Sequence, residues 1–173
     1  IGWRPAVTFR DELGEVVGLW AGPFGDAYTE RNTPAAGSPP RRDLVREVAV
    51  DCSALRLLEV GANIGLNVRG VAGIVPRIVA LDVNRGALEK LRHDNPWVQT
   101  VVSPAQSLPF LSDEFDLVVC IGVLIHIPAV DLALVMDELV RVTAVGGHIL
   151  TGNYDAREEV AVPHLDEPLV GEP

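Results

Sequence analysis

The sequence predicts an α/β domain built around a parallel β-sheet, and three observations support this fold class. Between residues 55 and 152, short apolar runs rich in strand-forming residues alternate with segments of helical periodicity. The run at 115–121 is almost entirely apolar, as expected of a central strand that helices cover on both faces. With 173 residues, 48% of them hydrophobic and 22% charged, the chain has the size and composition of one globular core.

The first half of the α/β region contains two predicted strands. Residues 56–61 form the first, which ends at a glycine-containing turn. Behind this turn, apolar side chains recur at helical spacing as far as Pro76, so we expect a helix there, followed by a second strand at 77–82. The apolar stripe of this expected helix consists of Ile64, Val68, Val71, Ala72 and Val75.

A second helix and a third strand follow. Asn84 is a suitable N-cap for a helix that continues to His93, and the proline at 96 breaks it. Residues 97–102 are then predicted to form the third strand.

The last part of the α/β region supplies strands four and five, at 115–121 and 148–151. Between them we expect a helix that follows Pro128 and ends at the glycine pair 146–147. The apolar stripe of this helix consists of Leu132, Val135, Met136, Leu139 and Val142.

The flanking segments differ from this core. Residues 10–32 carry Trp20, Phe24 and Tyr28 at fourfold spacing, which predicts an aromatic helical face, and residues 33–40 read as a proline-rich linker. We therefore divide the chain into an N-terminal helical cap and linker (1–50), an α/β core (51–155) and an acidic, proline-containing, irregular tail (156–173).

Charge and cysteine content narrow the functional classes. The 24 acidic and 14 basic side chains leave a net charge of −10, which disfavours non-specific binding to nucleic acid or to an anionic membrane. The longest apolar stretch, 117–125, is about half of a membrane span, and no signal peptide opens the sequence. Cys52 and Cys120 are too few for a disulfide framework and indicate a reducing cytoplasm. Because the sequence opens at Ile1 rather than Met, we expect further residues upstream.

The most informative segment is the turn within residues 57–67 (LLEVGANIGLN). Gly61 and Gly65 allow a ligand to approach the backbone, and the N–H groups of the expected helix favour polar or anionic groups. Asn63 stands where a third glycine is expected, and asparagine tolerates a left-handed backbone. A dinucleotide fingerprint requires G-x-G-x-x-G, but Asn63 and Leu66 replace two of its glycines, so a nicotinamide cofactor is disfavoured.

Two carboxylates accompany the turn. Asp82 ends the second strand, where it can accept hydrogen bonds from both hydroxyls of a ribose; a solvated aspartate at a strand end is the alternative. Glu59 interrupts a buried strand, so it must be paired, either with a cationic or N–H-rich ligand group or with the amides of the adjoining turn.

At these residues the sequence resembles the class I S-adenosylmethionine-dependent methyltransferases, in which an acidic residue precedes a glycine-rich turn and a second acid binds the ribose. The resemblance spans residues 55–152 and includes 107–116 (SLPFLSDEFD), 138–142 (ELVRV) and the glycines at 146–147. More narrowly, residues 20–32 (WAGPFGDAYTERN), 61–67 (GANIGLN) and 122–127 (GVLIHI) are similar to the methylases associated with pseudaminic acid biosynthesis.

The resemblance implies a Rossmann-like fold with sheet order 3-2-1-4-5, right-handed crossovers and a site at the switch between strands one and four. Only about 20 residues follow strand five, so we expect the last two strands of the family's sheet to be missing. The implied cofactor is S-adenosylmethionine, with S-adenosylhomocysteine as product. The implied cofactor-binding residues are Tyr28, Arg31, Asn32, Glu59, Gly61, Asn63, Gly65, Asp82, Val83, Ser103, Ala105, Gln106, Ile121 and Gly122.

One departure from the family concerns the adenine ring. Many members place an acidic residue after strand three to bind the adenine amino group, and residues 103–105 offer none. Ser103, Gln106 or the backbone must therefore read the base.

Methyl transfer from a sulfonium is a direct displacement, in which the enzyme aligns donor and acceptor. A hydroxyl or ammonium acceptor also needs a base, and His126, just past strand four, is the candidate. The alternative is that His126 orders the loop before Pro128; a carboxylate acceptor would need no base. His93, His148 and His164 lack ligand spacing with cysteine, so we predict no metal site.

The leading hypothesis is a methyltransferase that acts on a small molecule, such as a sugar or a secondary metabolite. One alternative is a non-catalytic Rossmann-like domain that binds the cofactor or a nucleotide, because a fold does not guarantee an activity. Another is an NAD(P)-dependent enzyme of similar topology, which the failed glycine pattern disfavours.

Residues 10–32 are also predicted to act as a lid over the site. Trp20 and Tyr28 are candidates to close over the cofactor, and Tyr28, Arg31 or Asn32 to contribute to its binding. The alternative is a helix packed on a distant face of the sheet. On the acceptor side, the candidates are Asn153, Tyr154 and Asp155.

Overall fold

The computed structural model of the chain describes residues 9–31 and 39–153, and the side chains of residues 14–31 and 41–153. The strands are β1 (Arg56–Val60), β2 (Arg77–Asp82), β3 (Gln99–Val102), β4 (Phe115–Ile121) and β5 (Thr143–Gly152). They form one parallel sheet in the order β3-β2-β1-β4-β5. The predicted α/β fold and its strand order are therefore confirmed.

Five α-helices lie within the described residues. They are α1 (Phe9–Ala21), α2 (Pro23–Arg31), α3 (Pro39–Asp51), α4 (Arg85–Asp94) and α5 (Leu132–Val142). Short 3₁₀ helices cover Val68–Val71 and Leu124–His126. In this described part of the chain, none of the helices is long and apolar enough to cross a membrane.

The core lies on both faces of the sheet, because successive side chains of a strand point to opposite sides. On one face, Leu57 and Leu117 pack with apolar residues of α3 and α4. On the other face, Leu58, Val118 and Cys120 pack with the buried side of α5. Double coverage explains why β4 is apolar along almost its whole length.

The predicted helix behind the first strand is wrong. Residues 62–75 form turns and the short 3₁₀ helix, although Ile64, Val68 and Val71 are buried as the apolar stripe predicts. Two glycines account for the difference. Gly65 and Gly73 adopt left-handed φ values of +73° and +71°, which an α-helix excludes.

The boundary between α5 and β5 also differs from the prediction. The helix ends at Val142, and β5 begins at once with Thr143, five residues before the predicted strand. The glycines at 146–147 do not end the helix but lie where β5 shifts its register against β4. A left-handed φ of +79° at Gly146 accommodates this irregularity.

The N-terminal segment folds as the two helices α1 and α2, which we call the cap. Trp20 makes edge-to-face contacts with Phe24 and Tyr28, at ring-centroid distances of 5.1 and 5.2 Å. The three rings thus meet, but not on one helical face as predicted, because Trp20 belongs to α1 and the other two belong to α2. Helix α3 begins inside the predicted linker, at Pro39, and is not predicted. Most of that linker and the tail (156–173), together with Tyr154 and Asp155, lie outside the described residues.

Candidate active site

A cavity of about 240 Å³ lies between the cap and the carboxyl edge of the sheet, where β1, β2 and β4 end. It occupies the switch point of the strand order, where open α/β sheets bind ligands. The predicted site residues that line it are Tyr28, Gly61, Asn63, Asp82, Val83, Ser103, Ala105, Gln106, Ile121, Gly122 and His126. Arg31, Glu59 and Gly65 are not among its lining residues, and Asn32 lies outside the described residues.

The backbone N–H groups of the turn after β1 already have hydrogen-bond partners within the protein. Gly61 and Ala62 both donate their N–H groups to the carbonyl of Leu81, and Gly65 donates to the carbonyl of Ala62. The N–H of Ile64 donates to Oδ1 of Asn63, at 2.9 Å. No α-helix follows this turn, and the amides of Gly61, Ala62, Asn63, Ile64 and Gly65 already have hydrogen-bond partners, so they are not the free helical N–H groups that the sequence predicts.

Asn63 and Asp82 form the polar floor of the cavity. Asn63 has the predicted left-handed φ, at +47°. Its N–H donates to Oδ2 of Asp82 at 2.8 Å, and the N–H of Asn84 donates to Oδ1 at the same distance. Burial raises the pKa of Asp82, and these backbone hydrogen bonds oppose the rise. A carboxylate has about four acceptor positions, so Asp82 retains acceptor capacity for a ligand.

Glu59 lies beneath the cavity rather than on its surface. Its side chain is buried, and Oε1 accepts a hydrogen bond from Nδ2 of Asn67, a cavity residue, at 2.8 Å. Burial raises the pKa of Glu59 to about 8, while the bond from Asn67 opposes this rise. The side chain of Asn67 thus satisfies one carboxylate oxygen, whereas Oε2 is buried with no hydrogen-bond partner among the described residues. The pairing of Glu59 with a ligand group therefore stays a prediction.

Gly65 is needed for packing rather than for ligand approach. Its φ is +73°, and an added Cβ would lie 2.8 Å from Cγ of Leu91 and 2.9 Å from Cγ2 of Val68. Gly65 does not line the cavity, and the contacts that surround it are packing contacts. Gly61, in contrast, does line the cavity, and an added Cβ there would lie 2.1 Å from Cγ2 of Val123.

The loop after β3 forms one end of the cavity. Ser103 donates its hydroxyl to the carbonyl of Ser107 at 2.8 Å, so this hydroxyl already has a partner. Nε2 of Gln106 is buried, and it has no hydrogen-bond partner among the described residues. A buried amide donor of this kind fits a ring nitrogen of a bound heterocycle.

His126 lies at the cavity in the 3₁₀ helix that follows β4. Its imidazole packs against the indole of Trp20, with the ring centroids 4.6 Å apart. Partial burial lowers the pKa of His126, so the neutral imidazole, the form that can accept a proton, predominates at neutral pH. The position and protonation state both suit a general base.

Trp20, a predicted candidate to close over the cofactor, also lines the cavity. The lining residues that were not predicted as site residues are Val16, Val17, Gly25, Arg41, Val60, Ala62, Leu66, Asn67, Leu81, Asn84, Val123 and Ile127. Asn84 was predicted only as a helix cap, a role it has through Oδ1, which accepts the N–H of Ala87 at 2.8 Å. Arg41 belongs to the unpredicted helix α3, so no local signal placed it here. Asn67 closes the GANIGLN segment, and its proximity in sequence to Glu59 was a usable signal.

The sequence predicts no metal site, and this stays a prediction. In residues 9–31 and 39–153, no three His, Cys, Asp or Glu side chains are grouped to hold a metal ion. Burial raises the pKa of the Cys120 thiol to about 12, which makes this buried cysteine a poor thiolate donor.

The fold and the cavity at the switch point define an α/β protein of the Rossmann-like class. Residues 58–151, more than half of the chain, match the family described as "Methyltransferase domain". The chain therefore belongs to the methyltransferase domain family. A comparison with curated proteins found no match.

Three solved structures illustrate the similarity of fold. The YcgJ protein of Bacillus subtilis is 23% identical, with a TM-score of 0.59, over 66% of this chain and 50% of its own. CalS10 of Micromonospora echinaspora, an amino pentose methyltransferase solved with bound S-adenosylmethionine, is 20% identical, with a TM-score of 0.58, over 76% and 56%. Phosphoethanolamine N-methyltransferase 1 of Haemonchus contortus, solved with phosphoethanolamine and S-adenosylhomocysteine, is 14% identical, with a TM-score of 0.63, over 86% and 34%. The chain thus spans about half the length of the first of them.

Proposed function

We propose that this protein is a methyltransferase that binds S-adenosylmethionine and transfers its methyl group to a small molecule. The observation that carries the proposal is the position of Asp82. This acid ends β2 on the cavity floor, within a sheet whose sequence belongs to the methyltransferase domain family. The cofactor supplies an electrophilic methyl group on a sulfonium, so the reaction needs alignment and no protein nucleophile.

The residues present fit such a cofactor. Asp82 would accept hydrogen bonds from the ribose hydroxyls, and the buried Nε2 of Gln106 would donate to the adenine ring. The surfaces of Gly61, Ile121 and Gly122 would contact the rest of the molecule. In the cap, Tyr28 would contribute to the same site, which supports the proposal that the cap is a lid.

The acceptor is proposed to be a sugar or another secondary metabolite. The resemblance of residues 20–32, 61–67 and 122–127 to methylases of pseudaminic acid biosynthesis supports a sugar, as does the printed description of CalS10. The net charge of −10 supports a small acceptor over a nucleic acid. His126 would remove the proton from a hydroxyl or ammonium acceptor, in the position described above.

The test compares Asp82→Ala with Asp116→Ala. Asp116 also accepts two backbone N–H groups, from Leu55 and Arg56, but it does not line the cavity. Each variant therefore loses an acceptor of two backbone N–H groups, and Asp116→Ala also loses the ion pair with Arg56. Only Asp82→Ala loses the proposed ribose contact. Calorimetry with S-adenosylhomocysteine should show a loss of roughly 1.5–3 kcal/mol of binding free energy for Asp82→Ala and a much smaller change for Asp116→Ala.

Two results would contradict the proposal. If the unaltered protein bound neither S-adenosylmethionine nor S-adenosylhomocysteine, the assignment of the cofactor would be wrong. If folded Asp82→Ala bound as tightly as the unaltered protein, the ribose contact would be wrong even though the cofactor was right.

A further inference from the structure

Two asparagine side chains connect the cap to the core. Nδ2 of Asn63 donates to Oγ1 of Thr29 in α2, at 2.9 Å. Nδ2 of Asn84 donates to Oδ1 of Asp26 at 2.9 Å and to the carbonyl of Trp20 at 3.2 Å. Both helices of the cap are thus bonded to the core by side-chain amides.

The same two asparagines hold the carboxylate of Asp82. As described above, each gives its backbone N–H to a different oxygen of Asp82, at 2.8 Å. Each carboxylate oxygen of Asp82 is therefore linked to the cap through a single residue, either Asn63 or Asn84. A movement of Asp82 therefore displaces two residues that also bond the cap.

Each connection has one buried and one more exposed partner. Asn84 is 2% exposed and Thr29 is 4% exposed, whereas Asn63 is partly exposed and Asp26 is exposed. Loss of the bond from Asn63 would leave the buried hydroxyl of Thr29 without this donor, which costs free energy. Close approach is also required at Gly25, where an added Cβ would lie 1.8 Å from the carbonyl oxygen of Trp20 and 2.9 Å from Nδ2 of Asn84. The cap is therefore positioned by specific contacts.

These contacts position the residues of the cap that line the cavity. Trp20 and Tyr28 line the cavity, and the indole of Trp20 packs on the imidazole of His126. A displaced cap would take Trp20 away from His126 and open the cavity to water. The position of the cap thus affects both parts of the proposed site, the part that binds the cofactor and the part that binds the acceptor.

We propose that Asn63 and Asn84 are positioning residues that couple ligand binding at Asp82 to the docking of the cap over the cavity. This inference rests on the proposed function, because it requires a cofactor that contacts Asp82. Coupling is reciprocal: if a docked cap strengthens cofactor binding by some factor, the bound cofactor stabilises the docked cap by the same factor. Neither asparagine needs to touch the cofactor with its side chain for this to hold.

The first experiment breaks one connection at a time. Thr29→Val removes the acceptor for Asn63 with little change of shape, and Thr29→Ser is its matched control because it keeps the hydroxyl. Asn84→Asp keeps the oxygen that caps α4 but loses the donor to Asp26 and adds a second carboxylate beside it. Asn84→Asp combined with Asp26→Asn exchanges donor and acceptor between these two residues, so it should restore this hydrogen bond but not the one from Nδ2 of Asn84 to the carbonyl of Trp20.

Two measurements are made on each variant. Calorimetry gives the affinity for S-adenosylhomocysteine, and hydrogen exchange of residues 14–31, with and without that ligand, gives the docking of the cap. We expect Thr29→Val and Asn84→Asp each to lose about tenfold in affinity, within the 5–150-fold range typical of coupled sites. In both variants the ligand should protect residues 14–31 less than in the unaltered protein. Thr29→Ser should behave nearly as the unaltered protein does, and the exchanged pair should recover part of the loss seen in Asn84→Asp.

The outcomes separate this inference from the proposed function. If the unaltered protein does not bind S-adenosylhomocysteine, the proposed function fails and the coupling fails with it. If it binds, but Thr29→Val keeps its affinity and the full ligand-induced protection of the cap, only the coupling is wrong. An affinity loss with undiminished protection of the cap would also overturn it, since the asparagines would then act on the turn alone. If Asn84→Asp fails to fold, Thr29→Val and its control decide the question.

Discussion

At the scale of single residues, Glu59 should make stability depend on pH in a recognisable way. Its pKa is raised to about 8 in the folded protein by burial, against an ordinary value of 4.5. Between these values the unfolded chain loses the proton while the folded protein retains it, so stability falls as the pH rises through this window. Below pH 4.5 the carboxyl is neutral in both states and this cost is absent.

Glu59→Gln removes this titration and keeps an oxygen that can accept the bond from Asn67. Urea denaturation at pH 5 and pH 8 should show the variant gaining stability relative to the unaltered protein as the pH rises, by at most about 4 kcal/mol. Asp82, whose pKa burial also raises, is present in both proteins and cancels in the difference. Parallel stability curves for the two proteins would show that Glu59 does not titrate in this window.

The role of His126 is a second question at this scale. If His126 is the base, the methyl-transfer rate should rise with pH and then reach a plateau. Because burial lowers the pKa of His126, the midpoint of this rise should lie below pH 6.5. His126→Ala should abolish that midpoint and reduce turnover by roughly 10²–10⁴-fold, with nearly unchanged affinity for S-adenosylhomocysteine. His93, whose side chain is 88% exposed, supplies the control His93→Ala. Joint loss of thermal stability and cofactor affinity in His126→Ala would instead favour the structural role.

At the scale of elements, the turn after β1 depends on how Gly65 fits against α4. Gly73 has nearly the same backbone, with φ +71° against +73°, but an added Cβ there would meet nothing within 4 Å. Gly73→Ala should therefore cost about 1–2 kcal/mol, the conformational penalty alone. Gly65→Ala should cost about 1–3 kcal/mol more, because its Cβ also crowds Leu91. Equal free energies of unfolding for the two variants would remove the packing explanation.

The elements also show what the sequence can predict. Strands β1, β2 and β4 were predicted to within a residue, because buried parallel strands are continuous apolar runs between turns. The stripe at 64–75 predicted the burial of four of its five residues, but Ala72 is exposed. It did not predict the absence of an α-helix, since apolar spacing does not report the left-handed backbone of Gly73. Helix α3 follows a proline-rich segment, which we read as a linker although Pro is well tolerated in the first turn of a helix.

At the scale of the whole molecule, the site is harder to predict than the fold because its contacts join distant segments. Gly61, Asn63 and Asp82 could be placed at the cavity from a local motif and a strand end. Asn84 could not, because its bonds to the cap join residues 58 and 64 positions apart in the sequence. The aromatic spacing of the cap indicated a helical face, but only the tertiary structure places Trp20 and Tyr28 at the cavity.

The cap and the core should therefore act as one unit around the cavity, and Trp20 is the residue to test. Its indole contacts Phe24 and Tyr28 within the cap and His126 in the core. Trp20→Ala also removes an aromatic wall of the cavity, and an aromatic contact is worth about 0.5–1.5 kcal/mol, so this variant should weaken S-adenosylhomocysteine binding by roughly threefold to tenfold. Turnover should fall further than affinity, because a poorly covered site admits water around the transferring methyl group. Trp97, 44% exposed and outside the cavity lining, provides the control Trp97→Ala. If Trp20→Ala and Trp97→Ala had the same affinity for S-adenosylhomocysteine and the same turnover, the cap would not contribute to the site.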